Sequence, residues 1–560
     1  MELCDISSGV VDSVCSTRFE FKMSSAPKTE KAKAQSSAPS AAGCMSNADS
    51  NSKRMGMADQ QLALGNIGDS WGEENENYVQ DDDDDEDDAV EEVEKLPFRD
   101  PPIDCVRLRP SAFRNIPATV FIEYPPELGM TRKDESEIEE LGTRKLGYRS
   151  AWERICIRNA FMRAGFVKSQ KYWTAMWSKH QNDGQMKELN CLQKINHFPS
   201  SWCVGRKDRL VRTMQAMYRK HGSEFNFHPA SYILPAEREA LHRQIAIDQK
   251  GKTKSSISQQ GGLWILKPVA SSCGRGINVV TGTQVLAMPK SKKLLVQKYV
   301  HDPYLIDGKK FDLRIYVIVT GVDPLRVYVH KEGLTRISTN SYSLKNLSDR
   351  FAHLTNYSIN KKSAAFKAAE YSGMDDNGDN DNSNTPEVGE GGAASCGAAN
   401  ESSGPNNGPG ADFKDPETEG FKWSFSAFQR WLTRKEGAEV TKNTCQRIDD
   451  LLVKTMIAAE STITPQLHAS ANYRTNCFEL FGCDVMLDSK LTPHLVEVNI
   501  SPSLAGSSPL DKRIKGMVIA DAMHTVGIYP HDPKVIKKYD QTNTAVHSKS
   551  TRWVKFIFVL

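Results

Sequence analysis

Two strongly β-prone segments near the end of the chain, CFELFGCDVML and PHLVEVNI, are joined through the short stretch DSKLTP. A connection this short cannot carry a parallel crossover, so the two strands must pair antiparallel. Alternate side chains of a strand share a face. Glu497 and Asn499 are therefore expected to point together, with Val496, Val498 and Ile500 on the opposite face, which is apolar and reads as core. The antiparallel pairing also brings Asp484 close to Glu497. Two carboxylates and an amide oxygen form a hard-oxygen set, suited to Mg²⁺ held jointly with substrate phosphates. Each of these residues alone would be an ordinary polar position at a strand edge; the triplet favours a metal site.

The region upstream has the same character. From Gly261 onward GLWILKPV, LLVQKYV, KFDLRIYVIVT and LRVYVHKEG are short β-branched or aromatic runs separated by turn residues. IPATVFIEY reads as a first strand, and RKLGYRSAWERICIRNAFMRAGF, LVRTMQAMYRKHG and CQRIDDLLVKTMIAAEST carry helical apolar spacing. Helices interleaved with antiparallel strands predict an α+β, or mixed α/β, class. Two segments stand outside this pattern. Residues 1–95 are rich in Ser, Ala, Asn, Asp and Glu, and include the acidic run from Asp81 to Asp88. Such a composition cannot bury enough apolar surface to offset chain entropy, so disorder is expected there. Residues 372–420 are a second low-complexity stretch, read as an exposed insertion that ends before FKWSFSAFQRWL.

The 560 residues carry 72 basic and 70 acidic side chains, so net charge alone points to no partner. The basic clusters after Lys194 would suit an anionic substrate, although any single cluster is more ordinarily a solvated face. Twelve cysteines without a CxxC pair argue against a disulfide framework or a zinc module, and for a reducing compartment. The N-terminus lacks the pattern of a secretory signal, and no apolar run is long enough to span a membrane. A cytosolic protein is expected, acting neither on nucleic acid nor at a membrane.

Three further motifs bear on chemistry. In KFDLRIYV, Lys310, Asp312 and Arg314 share one face and Phe311, Leu313 and Ile315 the other; the charged face is either solvent-exposed or the wall of an anion-binding cleft. WILKPVASSCGRGINVV places Lys267 at the end of an apolar strand and before a loop of small residues, where backbone N–H groups can approach phosphate. The common nucleotide fingerprints fail here: Val279 stands at the third glycine position of GxGxxG, and Ala246 at the first glycine of a Walker motif ending in Gly251–Thr253. HLTNYSINKK offers Thr355, Asn356, Tyr357 and Ser358 as a dense hydrogen-bonding set, or as a helix cap.

In this order KFDLR, HLTNYS, FELFGCDVMLD and LVEVNISPSL resemble the tubulin tyrosine ligase-like family, an ATP-grasp fold, and specifically its tubulin polyglutamylases. KINHFPSS, VGRKDRL, YILP and VQKYVHDPYLIDGKK extend the resemblance over roughly Leu96 to Pro530. The resemblance implies an N-terminal domain over 96–203, a central ATP-grasp domain over 204–295, a C-terminal ATP-grasp domain over 296–530 and a tail over 531–560. It implies a monomeric ligase that uses ATP as co-substrate and two Mg²⁺ ions to join L-glutamate to glutamate side chains in tubulin C-terminal tails, on microtubules or on other acidic proteins. The implied setting is the cytoplasm and cytoskeleton, including the cilium or basal body. Ligation of glycine or tyrosine, or a catalytically silent microtubule-binding protein, are the alternatives. Carried over by motif, ATP would meet Lys267, Cys273, Gly274, Gln297, Lys298, Tyr299, Val300, Lys310, Phe311, Asp312, Thr355 and Asn356. Arg336, Tyr357, Ser358, Lys422 and Lys515 would bind glutamate, and Asp484, Glu497 and Asn499 the metal; Lys267, Arg336 and Glu497 would be catalytic. GRKDRLVR, near Gly205, is either a contact for an acidic tail or an ordinary helix N-terminus. Only about thirty residues follow Pro530, so strong autonomous microtubule binding is not expected.

Overall fold

The computed structural model describes residues 106–543, together with the strand Phe556–Val559. Excepted are 111–116, 133–138, 141–145, 152–153, 251–255, 270–273, 367–414 and 416. The low-complexity N-terminal region and most of the 372–420 stretch lie outside the described residues. The last residues of that stretch, Thr418–Glu419, form a short strand.

The first layer is a small parallel sheet in the order Phe166–Lys168, Leu146–Ser150, Ala175–Trp177, Lys194–Ile195. The helix expected over RKLGYRSAWERICIRNAFMRAGF therefore begins only at Ile155 and runs to Arg163; LGYRS before it is a strand, and Phe166 after it opens another. The segment pairs in parallel with Phe166–Lys168 and Ala175–Trp177, and Gly147 lets its backbone come close to the neighbouring chain: a Cβ there would lie 1.7 Å from the Tyr172 carbonyl oxygen. IPATVFIEY contributes only the two-residue strand Thr119–Val120; Phe121 and Ile122 are buried instead as irregular chain. Helix α1 (Lys207–His221) follows, with Leu210, Val211 and Met214 on its buried face and Gly222 closing it at positive φ.

A second, antiparallel sheet runs in the order Asn278–Thr281, β1 (Leu263–Lys267), Leu294–Lys298, Ser231–Leu234. Trp264, Leu266 and Val296 form its core with Leu241 and Ile245 of the helix Arg238–Gln249.

The third sheet is the largest and carries the site. Its main path is Thr418–Glu419, β4, β3, β2, β5, β6, where β2 is Lys309–Val322, β3 Leu325–Ser341, β4 Lys422–Ser424, β5 Glu479–Leu487 and β6 Pro493–Asn499. All pairs on this path are antiparallel. Phe556–Val559 adds a parallel strand beside β3. The period-2 pattern of β2 does what its sequence predicts. Phe311, Leu313, Ile315 and Val317 enter one core with the helix Phe425–Glu436 and with helix α2 (Ala438–Ser470). On the other face Tyr316 and Ile318 pack with Ile514, Val518 and Met523 of helix α3 (Pro509–Val526). Each face of the sheet is thus closed by a helix, and a polar strip is left at the end nearer the small antiparallel sheet.

Phe428 is fully buried beneath β2, its ring 5.3 Å from that of Phe311 and 6.0 Å from that of Phe425. Phe428→Ala is expected to cost roughly 3–5 kcal/mol, through lost burial and the cavity left behind. Thermal unfolding would show this as a clearly lowered midpoint, and a midpoint within a degree of the parent would contradict the packing described.

Candidate active site

The polar strip is set by strand register. Asp484 stands directly opposite Glu497, and Gly482 opposite Asn499, across the β5–β6 pair. β2 places Arg314 opposite Asp484, β3 places Arg336 opposite Asp312, and β4 places Lys422 opposite Arg336. One correction to the expected pattern concerns β6. The register slips between Asp484 and Val485, so that Glu497 and Leu495 face successive residues of β5 and Val496 is the extra residue of a bulge. Leu495, not Val496, enters the core beside Val498 and Ile500. The bulge leaves Glu497 and Asn499 on the polar face but moves the apolar phase by one residue.

Asp484 is held by two guanidinium groups. Arg314 donates from Nε to Oδ1 at 2.5 Å and from Nη2 to Oδ2 at 3.2 Å, and Arg336 Nη2 lies 2.7 Å from the same Oδ2. Arg336 also donates to both oxygens of Asp312, at 2.7 and 2.8 Å, and Thr355 Oγ1 donates to Asp312 at 2.5 Å. Burial opposes the charge of Asp484, but the two arginines outweigh it and hold the carboxyl well below its usual range. Burial likewise opposes the charge of Arg336, and Asp312 and Asp484 outweigh it and raise its pKa.

On the side of the small sheet, Lys267 is buried at the end of β1 and donates to Gln297 Oε1 at 2.9 Å. Burial lowers its pKa to about 8, with the Glu497 carboxylate partly restoring its charge. Gln297 is fixed in turn by Ser231 Oγ, which accepts from its amide at 3.0 Å. Lys310 donates to the Tyr299 hydroxyl and the His353 carbonyl, each at 2.9 Å, and burial pulls its pKa down to about 7. Lys298 is engaged elsewhere, paired with Asp248 and set over the Trp264 ring. The side chain of Phe311 belongs to the core, so only its backbone can face a ligand here. Val300 follows Tyr299 at the end of the strand and is half-buried. Gly274 has φ +70°, and a Cβ there would lie 2.6 Å from Ile359 and 3.0 Å from the Asn356 amide oxygen, so the loop presses bare backbone against the HLTNYS segment. Cys273 lies outside the described residues.

Lys422 donates to Asp511 Oδ2 at 2.6 Å, and its Nζ sits 4.5 Å from the centre of the Tyr357 ring. Lys515, one turn along α3 from Asp511, has its Nζ 3.5 Å from Asp511 Oδ1 and donates to the Ala505 carbonyl. Asn356 stands at the N-cap position of the short helix Tyr357–Asn360, which includes Ser358; its side chain makes no capping hydrogen bond, and its backbone carbonyl accepts from the Asn360 N–H at 3.0 Å.

Profile comparison places residues 184–387 and 411–535 in the tubulin-tyrosine ligase family. The chain belongs to the tubulin-tyrosine ligase family. The family's domain is ATP-grasp-like, in agreement with the mixed helix-and-sheet architecture. Human tubulin monoglutamylase TTLL4 is 35% identical over 79% of this chain and 32% of its own length. Human tubulin polyglutamylase TTLL5 is 36% identical over 64% of this chain and 24% of its own length, and its mouse counterpart 35% identical over 75% and 28%. The chain therefore spans about a third or less of the length of these relatives.

In this member of the family, Glu497, Asn499 and Asp484 offer only hard oxygen donors on one sheet face. Asn499 donates its amide N–H to the Gly482 carbonyl at 3.2 Å, which leaves its own carbonyl as an acceptor. That donor set fits Mg²⁺. A different cluster does not fit a metal. His180, His197 and Glu479 lie together, but the two imidazoles are stacked with planes 13° apart and centres 4.1 Å apart. The lone pairs of near-parallel rings lie in separate planes and cannot converge on one ion. Glu479 is instead hydrogen-bonded to His197 Nδ1 at 2.7 Å and accepts from Ser201 at 2.9 Å and the Phe198 N–H at 3.1 Å, tying KINHFPSS to the start of β5.

Sequence reading puts Arg314 on the charged face without its partner and does not single out Asp511. GRKDRLVR is the beginning of α1, and its Lys207 comes within 3.8 Å of Glu497 at the rim of the strip. Only the helix-start pattern SSPLD gives any signal of Asp511; the pairing of Arg314 with Asp484 is brought about by long-range folding.

Gly482 is a strict requirement of this arrangement. A Cβ there would lie 2.7 Å from Pro502 Cβ and 3.1 Å from Arg314 Cδ. Gly482→Ala is expected to push Arg314 off Asp484 and to destabilise the protein by roughly 1–3 kcal/mol. Thermal unfolding checks this, and an unchanged midpoint would show that Arg314 can move aside freely.

Proposed function

We propose that this chain is an ATP- and Mg²⁺-dependent ligase that joins L-glutamate through an isopeptide bond to glutamate side chains in tubulin C-terminal tails. The carrying observation is the convergence of Arg336, Lys422 and Lys515 beside the Asp484–Glu497–Asn499 face. Relatives named tubulin monoglutamylase and tubulin polyglutamylase support the choice of amino acid and acceptor. The setting this reading implies is cytoplasmic and cytoskeletal, with microtubules as partner.

The reaction runs in two steps. The acceptor carboxylate takes the γ-phosphoryl group of ATP, releasing ADP and forming an acyl phosphate. The amino group of glutamate then attacks the acyl carbon, the C–N bond forms, phosphate leaves, and the nitrogen gives up a proton. Mg²⁺ held by Asp484, Glu497 and Asn499 would neutralise charge on the phosphates. Lys267 and Lys310 bring fixed positive charge to the nucleotide from buried positions, where it acts strongly. Arg336, clamped by Asp312 and Asp484, is oriented before any ligand arrives, and Lys422 and Lys515 meet the carboxylates of the incoming glutamate.

Incubating the protein with Mg²⁺, ATP, tubulin and, separately, labelled glutamate, glycine and tyrosine, followed by mass spectrometry of the tails, tests the proposal directly. Glutamate incorporation is expected, and preferential glycine incorporation would overturn the choice of substrate. Glu497→Gln should lower turnover at least about 100-fold with unfolding unchanged, as expected for loss of a charged metal ligand. Retention of parental turnover would remove Glu497 from the metal set. A lysine binds anions in its protonated form, and the pKa values of Lys310 and Lys267 in the free protein are about 7 and about 8. The KM for ATP is therefore expected to be lowest below that range and to rise as pH increases through it; a KM independent of pH would show that neither lysine contributes its charge.

A further inference from the structure

Asp511 is almost wholly buried, 1% exposed, at the third position of α3. The pattern Ser508-x-x-Asp511 would ordinarily end in a capping interaction, with the acidic side chain turned back to the helix start. Here only half of that motif is present. Ser508 accepts from the Asp511 N–H, but the Asp511 carboxylate leads away from the cap and into the site. Oδ2 accepts from Lys422 Nζ and from Ser507 Oγ, both at 2.6 Å. Oδ1 lies 3.5 Å from Lys515 Nζ and accepts no hydrogen bond from the described residues. A single carboxylate therefore stands between two buried ammonium groups, one from β4 and one from its own helix.

We propose that Asp511 is a positioning residue for the amino-acid substrate, standing between Lys422 and Lys515 as their shared counter-charge and holding them at a set separation as two donors for its carboxylates. The inference rests on the glutamate-ligase reading above. Two ammonium groups in one dry pocket repel each other and resist burial, and without an intervening anion one would shed its proton. Burial already lowers the pKa of Lys515, and Asp511 is the chief group restoring it. The other charged or titratable groups facing the two lysines and Asp511 are Arg314 and Tyr316 on β2, Arg336 on β3, Cys156 on the helix Ile155–Arg163, and Tyr357, whose ring lies 4.5 Å from Lys422 Nζ. Lys422 and Arg314 oppose the charge of Lys515, so Asp511 is the counter-charge the pair depends on. The Tyr316 hydroxyl is fully buried and has no hydrogen-bond partner among the described residues, so this part of the site holds a polar group a ligand could satisfy.

The test uses the full chain carrying Asp511→Asn, which keeps shape and removes charge. KM for L-glutamate should rise about tenfold near pH 8.5, the loss of roughly one charge-assisted contact, and should return toward the parental value near pH 6.5, where ammonium groups regain their protons. KM for ATP should change less than about twofold, since the nucleotide lysines are separate. Asp511→Glu should restore much of the glutamate KM. A rise that is equal at every pH and shared by both substrates would reduce Asp511 to a structural role and overturn the proposal. An independent readout is the pH dependence of Lys422 and Lys515 acetylation by acetic anhydride, followed by mass spectrometry without substrates. Asp511→Asn should shift reactivity of at least one lysine to lower pH, and an unshifted profile would sink the proposal whatever the substrate is. If the parental chain ligates no glutamate, the functional reading fails while the acetylation profiles still decide the role of Asp511. Should Asp511→Asn not fold, Ser507→Ala, which removes the hydroxyl that donates to Oδ2 and accepts from Lys422 Nζ at 3.5 Å, should move the glutamate KM and the acetylation profile in the same direction by a smaller factor; no movement in either would overturn the proposal.

Discussion

Asp484 ties three strands together through charge. It sits on β5, accepts from Arg314 on β2, and shares Arg336 on β3 with Asp312. Ion pairs of this kind contribute little net stability, because removing two charges from water costs nearly as much as their attraction returns. Their value lies in geometry. Bidentate contacts admit few arrangements, so a guanidinium gripped by two aspartates cannot wander, and the strand register beneath it cannot slip without breaking several contacts at once. Gly482 belongs to the same constraint, since the stem of Arg314 crosses the space a side chain would fill.

The strip also has a sign. Lys207, Lys267, Lys310, Arg314, Arg336, Lys422 and Lys515 lie along it, against Asp312, Asp484, Glu497 and Asp511. A chain that is nearly neutral as a whole therefore carries a locally positive site. Its charges are largely buried, so their fields are weakly screened by salt. Buried lysines whose pKa values fall to about 7 and about 8 are marginally charged without a ligand, and an arriving phosphate would favour protonation. Binding and protonation are then coupled by the same burial.

Much of this was legible in the sequence, and the rest was not for definite reasons. The antiparallel pairing of β5 with β6, the two faces of β2 and helix α1 follow from local periodicity, which the chain reports directly. The bulge at Val496 was invisible because an extra residue changes register without changing composition. The strand Leu146–Ser150 was read as helix because LGYRS joins a helical pattern, and only its pairing with Phe166–Lys168 and Ala175–Trp177, distant from any local signal, shows otherwise. Lys207 and Asp511 reach the site from elements whose own sequences satisfy ordinary helix-start rules. A residue that serves two purposes looks, in sequence, like the simpler one.

The two faces of β2 show why such a site can be both rigid and chemically open. Phe311 and Leu313 are locked between α2 and the helix Phe425–Glu436, while the alternating Lys310, Asp312 and Arg314 turn to the polar strip. Stability is thus supplied on one side of a single strand by packing that no ligand touches. The charged side can keep unfavourable, half-satisfied groups such as Asp511 Oδ1 and the Tyr316 hydroxyl without unfolding the sheet. Moving the pattern by one residue would bury the charges among phenylalanines and expose the core, so the register that fixes the fold also fixes which groups meet a substrate.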